Sequence, residues 1–193
     1  MKHWSEEFNN PKDVSLVLNK EYSKFPFMQN PTCGMHRKAE IFLLLQIIME
    51  YRFETYIELG CGKGDFLKTI NNTFDFEINI IGYDRFEPDK FLPRNIEFRK
   101  RKYLFSYKDE IQKQIINTKG KLFCYCDNGN KIKELDMVSE VMKKGDVIGT
   151  HDYCVEVPKN SVEFIEERGF KALDKYEDWI NTHLCLQKFW IKK

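Results

Sequence analysis

Four short stretches of this chain hold side chains whose types and spacing could do chemistry. Glu58 stands two residues before an alternating run, Gly60-Cys61-Gly62-Lys63-Gly64, and Asp84 follows 26 residues after it. Further on come Asp127-Asn128 and, 25 residues after Asp127, the pair His151-Asp152. Alternating glycines let a backbone bend sharply and come closer to a ligand than any side chain would allow. Asp127, His151 and Asp152 together admit two chemistries. An oxygen- and nitrogen-rich trio could hold a divalent cation that orients a substrate hydroxyl and helps remove its proton. Alternatively His151 acts alone as a general base, oriented by Asp152 or Asp127, since imidazole titrates near neutrality.

These residues can cooperate only if secondary structure delivers them to one place. Tyr56, Ile57 and Leu59 make a β-favouring apolar run ending at Glu58 and the glycines. Asp65 to Ile70 then takes up a helical pattern, with Phe66, Leu67 and Ile70 on one face and an acid in the first turn. A second apolar strand, 78–83, ends at Asp84. The remaining pattern alternates: a long apolar helix over 36–51, a short helical turn near 87–91, strand 95–99, helix 107–117, strand 121–126, helix 130–143, strand 146–150 and helix 159–168. Strands near 170–174 and 183–190 close the chain, joined by the acidic and aromatic link 175–181. Strands alternating with helices predict a parallel sheet covered on both faces. In such sheets ligands lie beyond the carboxyl ends of the strands, which is where Glu58, Asp84, Asp127, His151 and Asp152 all fall.

The glycine spacing separates two kinds of nucleotide site. The dinucleotide fingerprint is G-x-G-x-x-G, with a pyrophosphate on the helix N-terminus. Here the third glycine comes one residue earlier, and Glu58 precedes the turn. A carboxylate there suits a ligand carrying an ammonium. From Glu58 to Gly64 the chain resembles the class I S-adenosylmethionine-dependent methyltransferases, whose first motif is an acid followed by G-x-G-x-G after the first strand. The resemblance implies that Glu58, Gly60, Cys61, Gly62 and Gly64 bind the methionine part of the cofactor. It places Asp84 on the ribose hydroxyls, Arg85 near the adenine edge and Asp127 also beside the cofactor.

From Gly34-Met35-His36-Arg37 through Val147-Ile148-Gly149 the chain looks like the small-molecule O-methyltransferases of the catechol and caffeoyl-coenzyme A type and their sugar-modifying relatives. Those metal-dependent enzymes carry Asp at the position of Asp127 and Asp-Asn at that of His151-Asp152; this chain has His-Asp. The implied fold is a Rossmann-like, doubly wound α/β domain over 36–193. Its mostly parallel seven-stranded sheet has an antiparallel C-terminal edge, and residues 1–35 form an N-terminal helical cap, with a helix over 11–19. The implied activity is methyl transfer from S-adenosyl-L-methionine to a hydroxyl of a small molecule, a sugar or a phenolic compound. Asp127, His151 and Asp152 are the expected catalytic residues, and the resemblance implies that they could hold Mg²⁺ or another divalent cation.

Composition excludes several classes of function. With 31 basic against 30 acidic residues the formal net charge is +1, so no global field steers the protein to nucleic acid or a membrane surface. The basic run Arg99 to Lys102, without interleaved aromatics, reads as a solvated strand end. Ile41 to Met49 is too short to span a bilayer, and the N-terminal residues lack the apolar core of a secretory signal. A soluble cytoplasmic protein with a small-molecule acceptor is expected, and a homodimer is compatible with it. Of the six cysteines, none are spaced C-x-x-C, so they read as structural thiols rather than zinc ligands. Two other functions use the same features: a nicotinamide-dependent oxidoreductase, and a non-catalytic protein that keeps a cofactor-binding fold.

Overall fold

The computed structural model describes residues 38–102, 104–183 and 185–193, so the expected cap over 1–35 and its helix lie outside the described residues. The first described element is helix α1 (Lys38–Tyr51), whose Leu43, Leu44, Ile47 and Ile48 are wholly buried. Strand β1 (Thr55–Leu59) follows, then α2 (Asp65–Thr73), β2 (Asn79–Asp84) and β3 (Ile96–Lys100). Helix α3 (Lys108–Asn117), β4 (Leu122–Cys126), α4 (Lys131–Ser139) and β5 (Val147–Thr150) complete the central part. The chain ends with α5 (Glu163–Glu167), β6 (Phe170–Ala172), α6 (Glu177–His183) and β7 (Lys188–Lys192).

The seven strands form one sheet in the order β3-β2-β1-β4-β5-β7-β6. All pairings from β3 to β5 are parallel, and β7 runs antiparallel between β5 and β6. Strands β1 and β4 are buried along their whole length, as expected of a sheet with both faces covered. One apolar layer joins α1 and α2 to the sheet through Leu44, Ile47, Phe66, Leu67 and Ile70; the other joins α3, α4 and α5 through Ile111, Ile115, Leu135, Val138 and Ile165. Chain order reverses direction across β1 and β4, and a crevice opens at such a point beyond the strand ends.

Three expectations are corrected at the periphery. The link 175–181 is largely helical, and the last strand begins at Lys188 rather than near residue 183. Glu177 and Asp178 occupy the first turn of α6, where the helix dipole favours acids, and Trp179 reaches His183 one turn on with ring centroids 4.0 Å apart. Residues 87–91 form no helix; Asp89 instead turns the chain, its carboxylate accepting from the Phe91 N–H.

Candidate active site

The glycine-rich turn is bound into the sheet on both sides. The Gly60 N–H donates to the Tyr83 carbonyl on β2 (2.8 Å), and the Asp127 N–H donates to the Leu59 carbonyl (2.8 Å). At Gly60 φ is +94°, and a Cβ there would lie 2.4 Å from the Asp127 carbonyl oxygen, so β1 and β4 approach at a point only glycine can occupy. Gly62 (φ +59°) faces open space instead. Its N–H donates to Asp84 Oδ2 at 2.7 Å, while Asp84 Oδ1 accepts from the Phe86 N–H at 2.9 Å. Asp84 therefore ties the loop to the end of β2 as well as facing the crevice. The Cys61 thiol turns beneath the loop towards Gly82.

Glu58 lies under this turn, 2% exposed, with Oε2 making no hydrogen bond among the described residues. Burial, reinforced by the charge of Asp127 nearby, holds its carboxyl well above the usual carboxylate range. Ionising a carboxyl buried in this way is costly, and a cationic ligand beside it would offset that cost.

The second half of the site is built on the ends of β4 and β5. The His151 N–H donates to the Cys126 carbonyl (3.2 Å), which sets the two strand ends side by side. His151 Nδ1 is 3.1 Å from Asp152 Oδ1 and 3.6 Å from Asp127 Oδ1, and Nε2 is 3.3 Å from Glu40 Oε2 on α1. Burial lowers the affinity of this imidazole for a proton, but the carboxylates of Glu40, Asp127 and Asp152 outweigh it and hold His151 above its ordinary value.

Lys131, in the first turn of α4, completes the cluster. Its Nζ lies 2.7 Å from Glu156 Oε2, 3.0 Å from Asp152 Oδ2 and 3.6 Å from Asp127 Oδ1, with the side chain 5% exposed. Burial works against the ammonium, yet Glu156 and Asp152 more than offset it and raise its pKa, while burial is likewise outweighed at Asp152, which Lys131 and His151 hold low. Glu156 reaches Lys131 because the chain curls back here: Asp152 has φ +53°, and its carbonyl accepts from the N–H groups of Val155, Glu156 and Val157. A cavity of about 440 Å³ opens beside the lysine, lined by Gly129, Asn130, Lys131, Ile132 and Glu156. Beneath it the fully buried Glu134 accepts from the Asn128 and Asn130 N–H groups, and burial pushes its carboxyl up to about 7 despite those bonds.

No family model matches the chain, and no curated protein matches it in sequence. Solved structures do. An apo structure of CmcI aligns over 86% of this chain and 72% of its own, with a TM-score of 0.59 at 13% identity. A Staphylococcus aureus protein described as a caffeoyl-CoA O-methyltransferase aligns over 97% and 95%, with a TM-score of 0.52 at 11% identity. CmcI solved with Mg and SAM aligns over 84% and 72%, with a TM-score of 0.50 at 15% identity. The chain has the class I methyltransferase fold. At these identities the likeness is one of fold.

Within this methyltransferase fold the structure gathers Glu58, Gly60, Cys61, Gly62, Gly64 and Asp84 around the end of β1, and Asp127, His151 and Asp152 around the ends of β4 and β5. Arg85 is exposed, with its guanidinium 5.0 Å from the centre of the Phe86 ring. The basic run 99–102 is largely tied up in ion pairs: Arg99 with Glu97 and Glu110, Arg101 with Glu110, and Lys100 with Glu87. Four described cysteines are buried and Cys154 is exposed, a departure from the expectation of structural thiols throughout. No described helix is long and apolar enough to cross a membrane.

Three residues of the cluster escape a reading of the strand ends. Glu40 carried one signal, being an acid within the apolar run of α1. Lys131 carried another, since a helix's first turn disfavours a cation unless acids hold it there. Glu156, six residues past the end of β5 at Thr150 and in an exposed loop, carried none.

The expected metal can be tested against this geometry. Asp127, His151 and Asp152 each offer a ligand atom, all within 4.8 Å of one another. The Lys131 ammonium, however, already contacts both carboxylates. A divalent cation bridging them would have to share both carboxylates with that ammonium.

Proposed function

We propose that this chain is an S-adenosylmethionine-dependent methyltransferase that methylates a hydroxyl oxygen of a small molecule. The observation that carries this reading is Glu58: a buried carboxylate with a donorless oxygen directly below a G-x-G-x-G turn, at the crevice between β1 and β4. The ligand it suits presents an ammonium. Asp84, at the end of the next strand, retains lone pairs for ribose hydroxyls beyond its two backbone bonds. Open space at Gly62 lets the cofactor lie against the main chain.

S-Adenosylmethionine would supply a methyl group already activated on a sulfonium, so the protein's task is alignment and removal of a proton. Glu40 holds His151 by Nε2, leaving Nδ1 on the side of Asp127 and Asp152. In its neutral form His151 can take the proton from an acceptor hydroxyl at Nδ1, and the neighbouring carboxylates stabilise the imidazolium that forms. The cavity beside Lys131 is of a size that a small acceptor could occupy. The fold's likeness to a protein described as a caffeoyl-CoA O-methyltransferase supports a small-molecule acceptor.

Calorimetric titration of the protein with S-adenosylhomocysteine tests the reading, with NADH as the competing ligand. Micromolar binding of the former, lost in Glu58→Ala, is the expected result. Binding of NADH alone would move the chain to the oxidoreductases.

A further inference from the structure

We infer that the Lys131 ammonium is itself the cation of the Asp127–His151–Asp152 cluster, so that the site operates without a divalent metal. The inference deepens the methyltransferase reading and rests on it for the use of the site, but the charge arrangement is a property of the unliganded chain. Three carboxylates from three segments converge on Nζ: Asp127 at the end of β4 (3.6 Å), Asp152 after β5 (3.0 Å) and Glu156 on the loop that curls back (2.7 Å). The side chain is nearly sealed from solvent, so those acids and not water solvate the charge.

The placement runs against local preference. Lys131 is the first residue of α4, where the partial positive charge of the helix end repels a cation. Glu134, one turn on, spends both carboxylate oxygens on the Asn128 and Asn130 N–H groups and so holds the loop that presents the lysine. Oxygen-bound cations such as Mg²⁺ take their ligands at about 2.0–2.6 Å and prefer oxygen to imidazole nitrogen. An ion at that distance from the Asp127 and Asp152 oxygens would be in near contact with an ammonium already ion-paired with both. A lysine on the chain supplies one fixed positive charge and N–H donors at the place where negative charge would develop on an acceptor oxygen.

The test is Mn²⁺ binding to the full chain, followed by electron paramagnetic resonance of the free ion, for the wild type, Lys131→Met and Lys131→Arg. The wild type and Lys131→Arg are expected to leave millimolar Mn²⁺ free, and Lys131→Met to bind it at least tenfold more tightly. Stoichiometric binding by the wild type, or no gain in Lys131→Met, would overturn the inference. If Lys131→Met does not fold, thermal unfolding of the wild type with EDTA against Mn²⁺ decides: no change in Tm supports the lysine and stabilisation by the metal overturns it. S-Adenosylhomocysteine binding in the same wild-type samples separates the two proposals. Binding that requires Mn²⁺ overturns the lysine assignment alone, whereas absence of both ligands sinks the methyltransferase reading and leaves the lysine in place.

Discussion

Glu40 and His151, 111 positions apart, meet in the interior with Glu40 Oε2 3.3 Å from His151 Nε2. The other carboxylate oxygen of Glu40 accepts from the Leu186 N–H at 3.0 Å, so the acid is held from two sides and in turn orients the imidazole. A carboxylate that fixes one ring nitrogen determines which nitrogen is left to do chemistry.

That relationship predicts a titration. In the wild type the His151 ring should titrate above its ordinary value of 6.5, and Glu40→Gln should bring it down. The sign for stability follows. A histidine whose folded pKa is raised stabilises the fold fully below its unfolded pKa, and this contribution disappears as pH rises through the folded value. Nitrogen-15 NMR of the imidazole checks the shift directly, and an unmoved resonance in Glu40→Gln would remove Glu40 as the orienting group.

Glu58 should trade stability for binding. Glu58→Gln removes the cost of keeping this buried carboxyl protonated while the unfolded chain ionises it, and is expected to raise the Tm of the unliganded protein near neutral pH. The same change should weaken S-adenosylhomocysteine by about tenfold to a hundredfold, the loss of a charge-assisted hydrogen bond. Differential scanning calorimetry and titration calorimetry on one preparation measure both, and a fall in Tm with unchanged affinity would contradict the assignment.

Glycines 60 and 62 should respond differently to alanine. Gly60→Ala forces a Cβ to 2.4 Å from the main chain at Asp127, so it must separate β1 from β4, and a loss of about 3 kcal/mol or more is expected. Gly62→Ala meets no atom within 4 Å and incurs only the positive φ, about 1 kcal/mol. Its effect should instead be on cofactor affinity, because the methyl group enters the crevice. Urea unfolding of the two variants distinguishes these outcomes.

Glu134 should make stability fall as pH rises towards neutrality. Its folded pKa of about 7 stands above the reference 4.5, so the folded state binds the proton more tightly and loses ground between those two values. The drop is on the order of 2–3 kcal/mol. Glu134→Gln should flatten that slope, measured by denaturant unfolding at acid and neutral pH, and a slope unchanged by the substitution would show that another group carries it.

Much of this protein was determined along the chain itself. Tyr56 to Leu59 followed by alternating glycines specifies strand, turn and helix locally, because β-branched and aromatic residues favour the pleat and only glycine takes Gly60's positive φ beside a neighbouring strand. The alternation of strands and helices then leaves few topologies, and the acids at strand ends had to gather at one edge of the sheet. The end of the chain was less legible. Residues 175–181 hold acids and aromatics with no long periodic run, and Trp179 and Ile180 became a helical face only through packing on α1 and the sheet.

What the tertiary structure alone decided is which charges share the site. Lys131 is four residues from Asp127, but its partners Asp152 and Glu156 lie on another strand end and a loop, and the acid behind His151 comes from the first described helix. Coulombic partnership depends on distance in space and on burial, neither of which is written in local periodicity. The sequence therefore determined where the glycine turn and the strand-end acids would gather, and the packing of α1, α4 and the 151–157 loop decided that a lysine stands among those acids.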